Sequence, residues 1–347
     1  MRQTVVLCGF VVAAILAGPV VAADSPLPES GGFSLHDDPG QHLDILLDGK
    51  IVGRYMYAYD TSTSAKREET YKPYLHVFDA AGKAPITKGL GGVFPHHRGI
   101  FIGFNKITFQ GKHYDRWHMK GGEIVHQKFK EEKAGPDAAT FTSLADWNSD
   151  PGKAPIMTEA RTITFRRAPP PGRLLVDVVS VLSAPNGDVK LEPDPEHSGV
   201  QYRAAFELDA AKTIYVFPKL KADARKDVDL PWVGESYTLR DQRYSIVEFN
   251  HPENPRGIKY SAYRDYGRFG AFIPTTTIPK GESLTLKFEF LIAEGEMPPA
   301  EMIEKCWDEF AGAKSATPVP PLTVKKAEAM SPASPSAPAK AKPAAKS

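Results

Sequence analysis

Ser283-Leu-Thr-Leu-Lys-Phe-Glu-Phe-Leu-Ile292 sets Leu284, Leu286, Phe288 and Phe290 two residues apart, with polar partners between them. A repeat of two is that of a strand burying one face, because successive side chains leave a pleated backbone on opposite sides. The same signal recurs outward from this stretch. Arg173-Leu-Leu-Val-Asp-Val-Val-Ser-Val-Leu-Ser183 is rich in Val and ends at the turn Pro185-Asn-Gly-Asp188. Residues 51–59 place Tyr55, Tyr57 and Tyr59 on one face. Further strand-like runs cover 100–109, 124–130, 159–166, 201–208, 213–217, 245–249 and 269–273. One helix stands out: Pro298-Pro299 opens it, Met302, Ile303, Cys306, Trp307 and Phe310 recur at helical spacing, and Gly312 ends it. The pattern predicts an all-β chain, a large antiparallel β-sandwich of supersandwich or jelly-roll type with one C-terminal helix.

The ends of the chain differ from its middle. Arg2 is followed by an apolar run from Val5 to Ala23 that contains the helix-breaking Gly18-Pro19 and closes on Val-Val-Ala-Ala. This is the grammar of a secretory signal peptide over residues 1–23, and it predicts a secreted or periplasmic protein. Beyond Ala23 no apolar run reaches the length of a spanning helix. From Ala313 to Ser347 there are six Lys, one Glu and seven Pro among Ala and Ser. Too little apolar surface is present there to offset ordering entropy, so residues 313–347 are expected to form a disordered tail. Such a tail would solubilise the protein, or contact an anionic surface or wall polymer. Residues 24–312 read as a single sandwich domain.

With 43 basic and 42 acidic residues the formal net charge is +1, and no concentrated basic face marks a nucleic-acid partner. Only Cys306 follows the leader, so packing rather than a disulfide must hold the fold; within a helical pattern it reads as a small buried hydrophobe.

Six of the ten histidines fall between residues 76 and 126. Tyr74, Arg98, Asp115, Trp117, Met119 and Glu123 surround them. Gly89-Leu-Gly-Gly-Val-Phe-Pro-His-His-Arg-Gly99 is a punctuated loop that delivers His96, His97 and Arg98 just before a strand, the place where rigid scaffolds carry binding groups. On extended backbone Tyr74 pairs with His76, and His96 with Arg98, whereas His96 and His97 reach one centre only if the loop bends. Trp117-His118-Met-Lys-Gly-Gly-Glu123 offers an aromatic plate, an imidazole and a carboxylate.

Three readings are open. Imidazole and carboxylate are acid and base toward a sugar, with Arg98 on a hydroxyl or carboxylate and Trp117 or Tyr74 stacked on the ring. Alternatively His96 or His97 with His118, His126 or His76 holds Zn, Cu or Fe, although no HExxH spacing supports it. In the third reading the rings are structural. A second cluster comprises Glu196, His197 and Arg203, then Pro231-Trp232, Asn250-His-Pro-Glu-Asn-Pro255 and Arg264-Asp-Tyr266-Gly-Arg268.

The order of these motifs is familiar. Lys72-Pro-Tyr-Leu-His76, Phe94-Pro-His-His-Arg-Gly-Ile100, Trp117-His118 and Gly121-Gly-Glu-Ile-Val-His126 resemble a family of secreted bacterial proteins of unknown function called PmoA-like, sometimes "methane oxygenase". Glu196-His-Ser-Gly-Val-Gln-Tyr-Arg203, Pro231-Trp232, Asn250-His-Pro-Glu-Asn254 and Arg264-Asp-Tyr-Gly267 extend the resemblance over residues 50–295. The family commonly has His where Phe94 stands, so one potential metal ligand is missing here. An oxygenase of the membrane type needs spanning helices, which the sequence beyond Ala23 lacks. The β-rich pattern also resembles, more distantly, galactose mutarotase-like sandwiches, in which His, Glu and Arg line a concave sugar site.

The sequence therefore predicts a carbohydrate or glycoside partner, with His96, His97, His118, Glu123 and Glu196 as candidate catalytic groups. Tyr74, His76, Arg98, Trp117, Arg203, Arg264 and Tyr266 are candidate substrate contacts. It names no cofactor and no metal ligand. A non-catalytic carbohydrate-binding module and a His-ligated metalloprotein are the alternatives.

Overall fold

The computed structural model describes residues 31–149, 153–312, 319 and 321–329. In chain order the first strands are β1 (Phe33–Asp38), β2 (His42–Leu47), β3 (Lys50–Met56), β4 (Tyr74–Val77), β5 (Ile100–Phe104), β6 (Ile107–Phe109) and β7 (Lys112–Tyr114). Long hairpins follow in β8 (Ile124–Ala134), β9 (Ala138–Asn148), β10 (Pro155–Arg167) and β11 (Leu174–Ser183). Then come β12 (Val189–Leu191), β13 (Ser198–Arg203), β14 (Asp209–Phe217), β15 (Trp232–Leu239) and β16 (Gln242–Asn250). The last are β17 (Lys259–Tyr260), β18 (Arg268–Phe272), β19 (Thr276–Ile278), β20 (Ser283–Glu294) and β21 (Thr323–Lys326).

They form an eight-stranded sheet, β1-β2-β3-β4-β5-β13-β18-β17, and a nine-stranded sheet, β21-β14-β15-β16-β20-β11-β10-β9-β8. A small sheet, β19-β12-β6-β7, flanks them. One apolar core joins the two large sheets, with Leu75, Ile100, Ile102, Val200 and Tyr202 from the first and Val176, Val178, Leu286, Phe288 and Phe290 from the second. The period-two reading of β20 holds: Phe288 and Phe290 lie opposite Val178 and Val176 of β11. The all-β sandwich with a C-terminal helix is the observed architecture.

The alternate residues of the nine-stranded sheet need a second cover. Leu175, Trp232, Val247, Phe249 and Leu291 pack under α2 (Ala300–Ala311) through Ile303 and Cys306. Gly312 ends that helix at φ 62, donating its amide to Asp308 and Glu309. Burial, reinforced by Glu289 and Glu309, pushes the Cys306 thiol up to about 11, as suits an inert packing residue.

Three expectations need correction. A second helix, α1 (Ser64–Thr70), precedes β4; it buries no residue and so leaves no apolar period to read. It is held by its Thr63 cap, which accepts Lys66 N at 3.1 Å, and by ion pairs. Tyr59 does not share the face of Tyr55 and Tyr57, because β3 ends at Met56 and Tyr59 is exposed. The tail is not without structure throughout: Thr323–Lys326 pairs antiparallel with the open edge of β14, and Glu328 accepts two bonds from Arg225. An unpaired edge recruits any extended segment that can reach it. The leader and the remainder of the tail lie outside the described residues. Among those described, no helix is long and apolar enough to cross a membrane.

Glu235 on β15 is fully buried, with Oε1 3.0 Å from the Tyr215 hydroxyl and Oε2 unpartnered among the described residues. Burial, partly opposed by Tyr215 and Arg203, pushes it up to about 8. An unfolded Glu titrates near about 4.3. Its contribution to stability is therefore fully present below that value and is lost as pH rises through about 8. Glu235→Gln is expected to raise Tm by about 5 °C at pH 8.5 and by little at pH 4.5. Calorimetric scans at the two pH values check this; equal shifts at both would show the carboxyl to be charged already at the lower pH.

Candidate functional site

Alternation along four neighbouring strands of the eight-stranded sheet builds a polar floor. Leu75 and Val77 of β4, Ile100, Ile102 and Phe104 of β5, Val200 and Tyr202 of β13, and Phe269 and Ala271 of β18 enter the core. Tyr74 and His76, Phe101 and Gly103, Gln201 and Arg203, and Arg268 and Gly270 therefore share the outer face. That face is covered too: Gln201, Arg203 and Arg268 are buried beneath loops. Gly103 explains the closest approach. A Cβ there would stand 2.8 Å from the Arg116 carbonyl, so only glycine lets the Trp117 loop lie on β5. The Trp117 ring, fully buried, meets Phe101 edge-on at 5.2 Å.

Two loops bring imidazoles over this floor. Phe94 takes φ 57 and its carbonyl accepts the His97 amide at 2.9 Å, a bend that puts the rings of His96 and His97 only 4.4 Å apart. The loop is stitched to β13 by Lys88 N to Arg203 O, Gly99 N to Lys88 O and Arg203 N to Gly99 O. His118 lies 4.6 Å from His96, and His197 lies 5.3 Å from His118 and 5.4 Å from Trp117. Two of the four rings are braced. His118 Nδ1 is 2.8 Å from Asp115 Oδ2, and Asp115 Oδ1 accepts the Trp117 and His118 amides. His197 Nδ1 bonds Asp194 Oδ1 in the same way. A carboxylate can only accept here, so Nδ1 carries the proton in both rings and Nε2 is left free.

Electrostatics separates the rings. Burial, with Lys72 and His118 adding to it, takes His96 down to about 2. Burial and then Arg203 put His97 well below the usual imidazole value. Both are uncharged at neutral pH. His197 is lowered by burial, against its bond to Asp194. Burial tends to raise Asp115, but the bonds from His118 and the loop amides prevail and hold its carboxyl below the ordinary value.

Of the residues expected from sequence, His96, His97, His118, Trp117 and Tyr266 meet here, Tyr266 through Phe94, whose ring is 5.4 Å from it and 5.2 Å from His97. Arg203 and Tyr74 belong to the floor, Tyr74 packing with Phe101 and Trp117. Glu196 and Arg264 stand beside it: Glu196 Oε2 takes Arg268 Nη1 at 2.7 Å and Arg264 Nη2 at 3.5 Å. Three expected members turn elsewhere. Glu123 is fully buried and bonded to Arg67 of α1 at 2.8 Å, so the unforeseen helix captures it. Arg98 spends its guanidinium on the carbonyls of Pro95, Glu69 and Glu68, capping the end of α1. His76 bonds Thr87 Oγ1 at 2.9 Å, and burial holds it down at about 4. His126 bonds Ser143 and packs on Tyr57 and Phe129, apart from the cluster.

Other members carried no assigned role: Asp115, Asp194, His197, Lys72, Lys88, Phe94 and Arg268. A signal for three of these seven was present, since Asp115-Arg-Trp-His118 and Asp194-Pro-Glu-His197 repeat one spacing. Among the described residues no group of three or more His, Cys, Asp or Glu side chains is arranged to hold a metal ion.

The chain belongs to a family of unknown function, DUF6807, whose profile matches residues 42–308. No curated protein matches it. Among solved structures it is similar to a heparinase III at 11% identity and a TM-score of 0.31, over 77% of this chain and 35% of that one. The chain thus spans about a third of that protein's length. It is also similar to a galactose mutarotase-like protein from Lactobacillus casei ATCC 334, at 10% identity and a TM-score of 0.35 over 75% of this chain and 100% of that one. A galactose mutarotase-like protein from Clostridium acetobutylicum gives 9% identity and a TM-score of 0.32, over 74% of this chain and 94% of that one.

In imidazole 15N spectra His96 and His97 are expected to stay neutral from pH 8 to pH 5, where an unperturbed ring takes its proton near about 6.5. A midpoint above pH 6 for either ring would show that it is not enclosed as described.

Proposed function

We propose that this member of the family acts on a saccharide at the outer face of the eight-stranded sheet, by an acid–base step that uses His118 and His197. The observation that carries the reading is the convergence of four imidazoles, two of them braced by carboxylates, beside aromatic rings on a rigid floor. A braced imidazole has its tautomer and orientation set, so Nε2 is presented to take or give a proton. Two such rings only 5.3 Å apart suit chemistry that removes a proton at one position and returns one at another: epimerisation, elimination or glycoside hydrolysis.

His96 and His97 are uncharged and serve as hydrogen-bond partners for hydroxyls. Phe94 and Tyr266 offer ring faces on which a sugar stacks. Glu196, paired with two arginines, positions Arg264 and Arg268. The motifs that resemble PmoA-like proteins supply Phe94–Arg98, Trp117-His118 and Arg264–Gly267, so this reading keeps that resemblance for its residues and takes no oxygen chemistry from it. The leader at residues 1–23 and the basic tail suit a secreted or periplasmic protein whose end meets an anionic surface or wall polymer.

The test is binding and turnover of a panel of neutral and acidic oligosaccharides. Asp115→Asn keeps the size of the brace but removes its charge and no longer fixes the His118 tautomer; it is expected to cut turnover by about 100-fold or more while binding changes by less than about threefold. His118→Ala should abolish turnover. Saccharide binding with no turnover would replace the catalytic step by a binding module, and no binding at all would overturn the reading. Near-stoichiometric Zn, Cu or Fe in the purified protein would favour the metalloprotein instead.

A further inference from the structure

We infer that the saccharide taken by this site is anionic, with its carboxylate or ester sulfate seated in the cavity between Lys88 and Arg203; this rests on the reading of the site as a saccharide site. The cavity has a volume of about 210 Å³, and Lys88, Phe94, His97, Arg203, Phe206 and Tyr266 line it. Its walls are aromatic and apolar, yet two cations stand in them.

Neither cation has an ion pair among the described residues. Arg203 is 1% exposed and, among the described residues, donates only to uncharged acceptors: the carbonyls of Tyr202 and Phe269, each at 2.8 Å, and Gln201 Oε1 at 3.0 Å. Its Nε has no partner among the described residues. Lys88, 5% exposed, donates to the carbonyls of Gly91 at 2.7 Å and Gly89 at 3.3 Å. A third basic side chain packs on Phe101, and burial puts its ammonium well below the usual lysine value. Lys72 is 2% exposed, its Nζ sits 3.8 Å from the Phe101 ring centroid, and among the described residues it has no hydrogen-bond partner. The two buried acids that act on Arg203, Glu235 and Glu248, are pushed up by burial, Glu235 to about 8, and four further carboxylates are already engaged. Glu196 is held by Arg268 and Arg264, Glu123 by Arg67, and Asp115 and Asp194 by imidazoles.

Buried charge without a counter-charge is costly, and the cations make it worse for one another. Burial, then Arg98 and Arg203, brings the Lys88 ammonium down to about 8. Burial and Arg268 likewise oppose the charge on Arg203, which a guanidinium keeps regardless. A sugar hydroxyl entering the cavity leaves that cost in place, whereas a carboxylate or sulfate removes it. A hexuronate suits the shape because its carboxylate hangs one bond off the ring, so a ring lying on Phe94 and Tyr266 can extend the anion between Lys88 and Arg203.

The experiment uses the full chain and a glycan array of matched pairs: oligosaccharides of glucuronate, galacturonate and mannuronate, each beside its carboxyl-reduced neutral form, with sulfated galactans as a separate arm. Affinities are then measured by calorimetry. Acidic members are expected to bind at least about 10-fold more tightly than their reduced forms. Lys88→Met should erase most of that discrimination, and Lys88→Arg should restore it. Binding by the sulfated arm alone would identify the anion as an ester sulfate and also supports the inference. Equal binding of acidic and reduced members by the unaltered chain overturns it while leaving the saccharide site intact; this comparison does not depend on any variant folding. Failure of both members to bind, with no binding by the sulfated arm, overturns the saccharide reading and the inference together.

Discussion

At β4, β5, β13 and β18 the eight-stranded sheet is buried on both faces with opposite chemistry on each, and every other feature of the site follows from that. Tyr202 and Phe269 point into hydrocarbon, while their neighbours Arg203 and Arg268 point the other way and are equally enclosed. Strand geometry makes the separation unavoidable, because neighbouring residues must face opposite sides. Guanidinium groups set into a sheet in this way cannot reach bulk water. Arg203 is instead held rigidly by main-chain carbonyls and by Gln201, at the bottom of a site whose walls are loops.

How those buried charges are satisfied distinguishes scaffold from site. Glu159 and Arg161, also fully enclosed, answer one another completely. Glu159 takes Arg161 Nε and Ser180 Oγ on one oxygen, and Arg161 Nη2 and Trp147 Nε1 on the other. The four bonds outweigh burial and hold that carboxyl below its ordinary value, so the pair needs nothing further. Lys72 and Arg203 are enclosed to the same degree without such an answer among the described residues. Complete satisfaction gives a fixed core network, and incomplete satisfaction leaves free energy for a ligand to recover.

The loops over the floor were partly legible. His96 and His97 are adjacent, so their convergence depended on a bend, and Phe94 in the left-handed region supplies it. Arg98 and Glu123 had the right chemistry for a site and were placed there on that ground. Both are bound by α1, a helix with no apolar face and hence no periodic signature. The aspartates bracing His118 and His197 had a visible spacing, yet a three-residue interval becomes a hydrogen bond only when the intervening turn closes.

By itself the sequence determined the architecture, since period two in β11 and β20 and helical period in α2 are local properties enforced by burial. It also determined that imidazoles crowd one region of the chain. Only the tertiary structure decided which of them meet. Three rings come from two loops before β8, the fourth precedes β13, and Arg203 and Arg268 arrive on strands paired across the sheet. That pairing follows from register and sheet order, which depend on contacts between segments more than 60 residues apart and on no pattern within either of them.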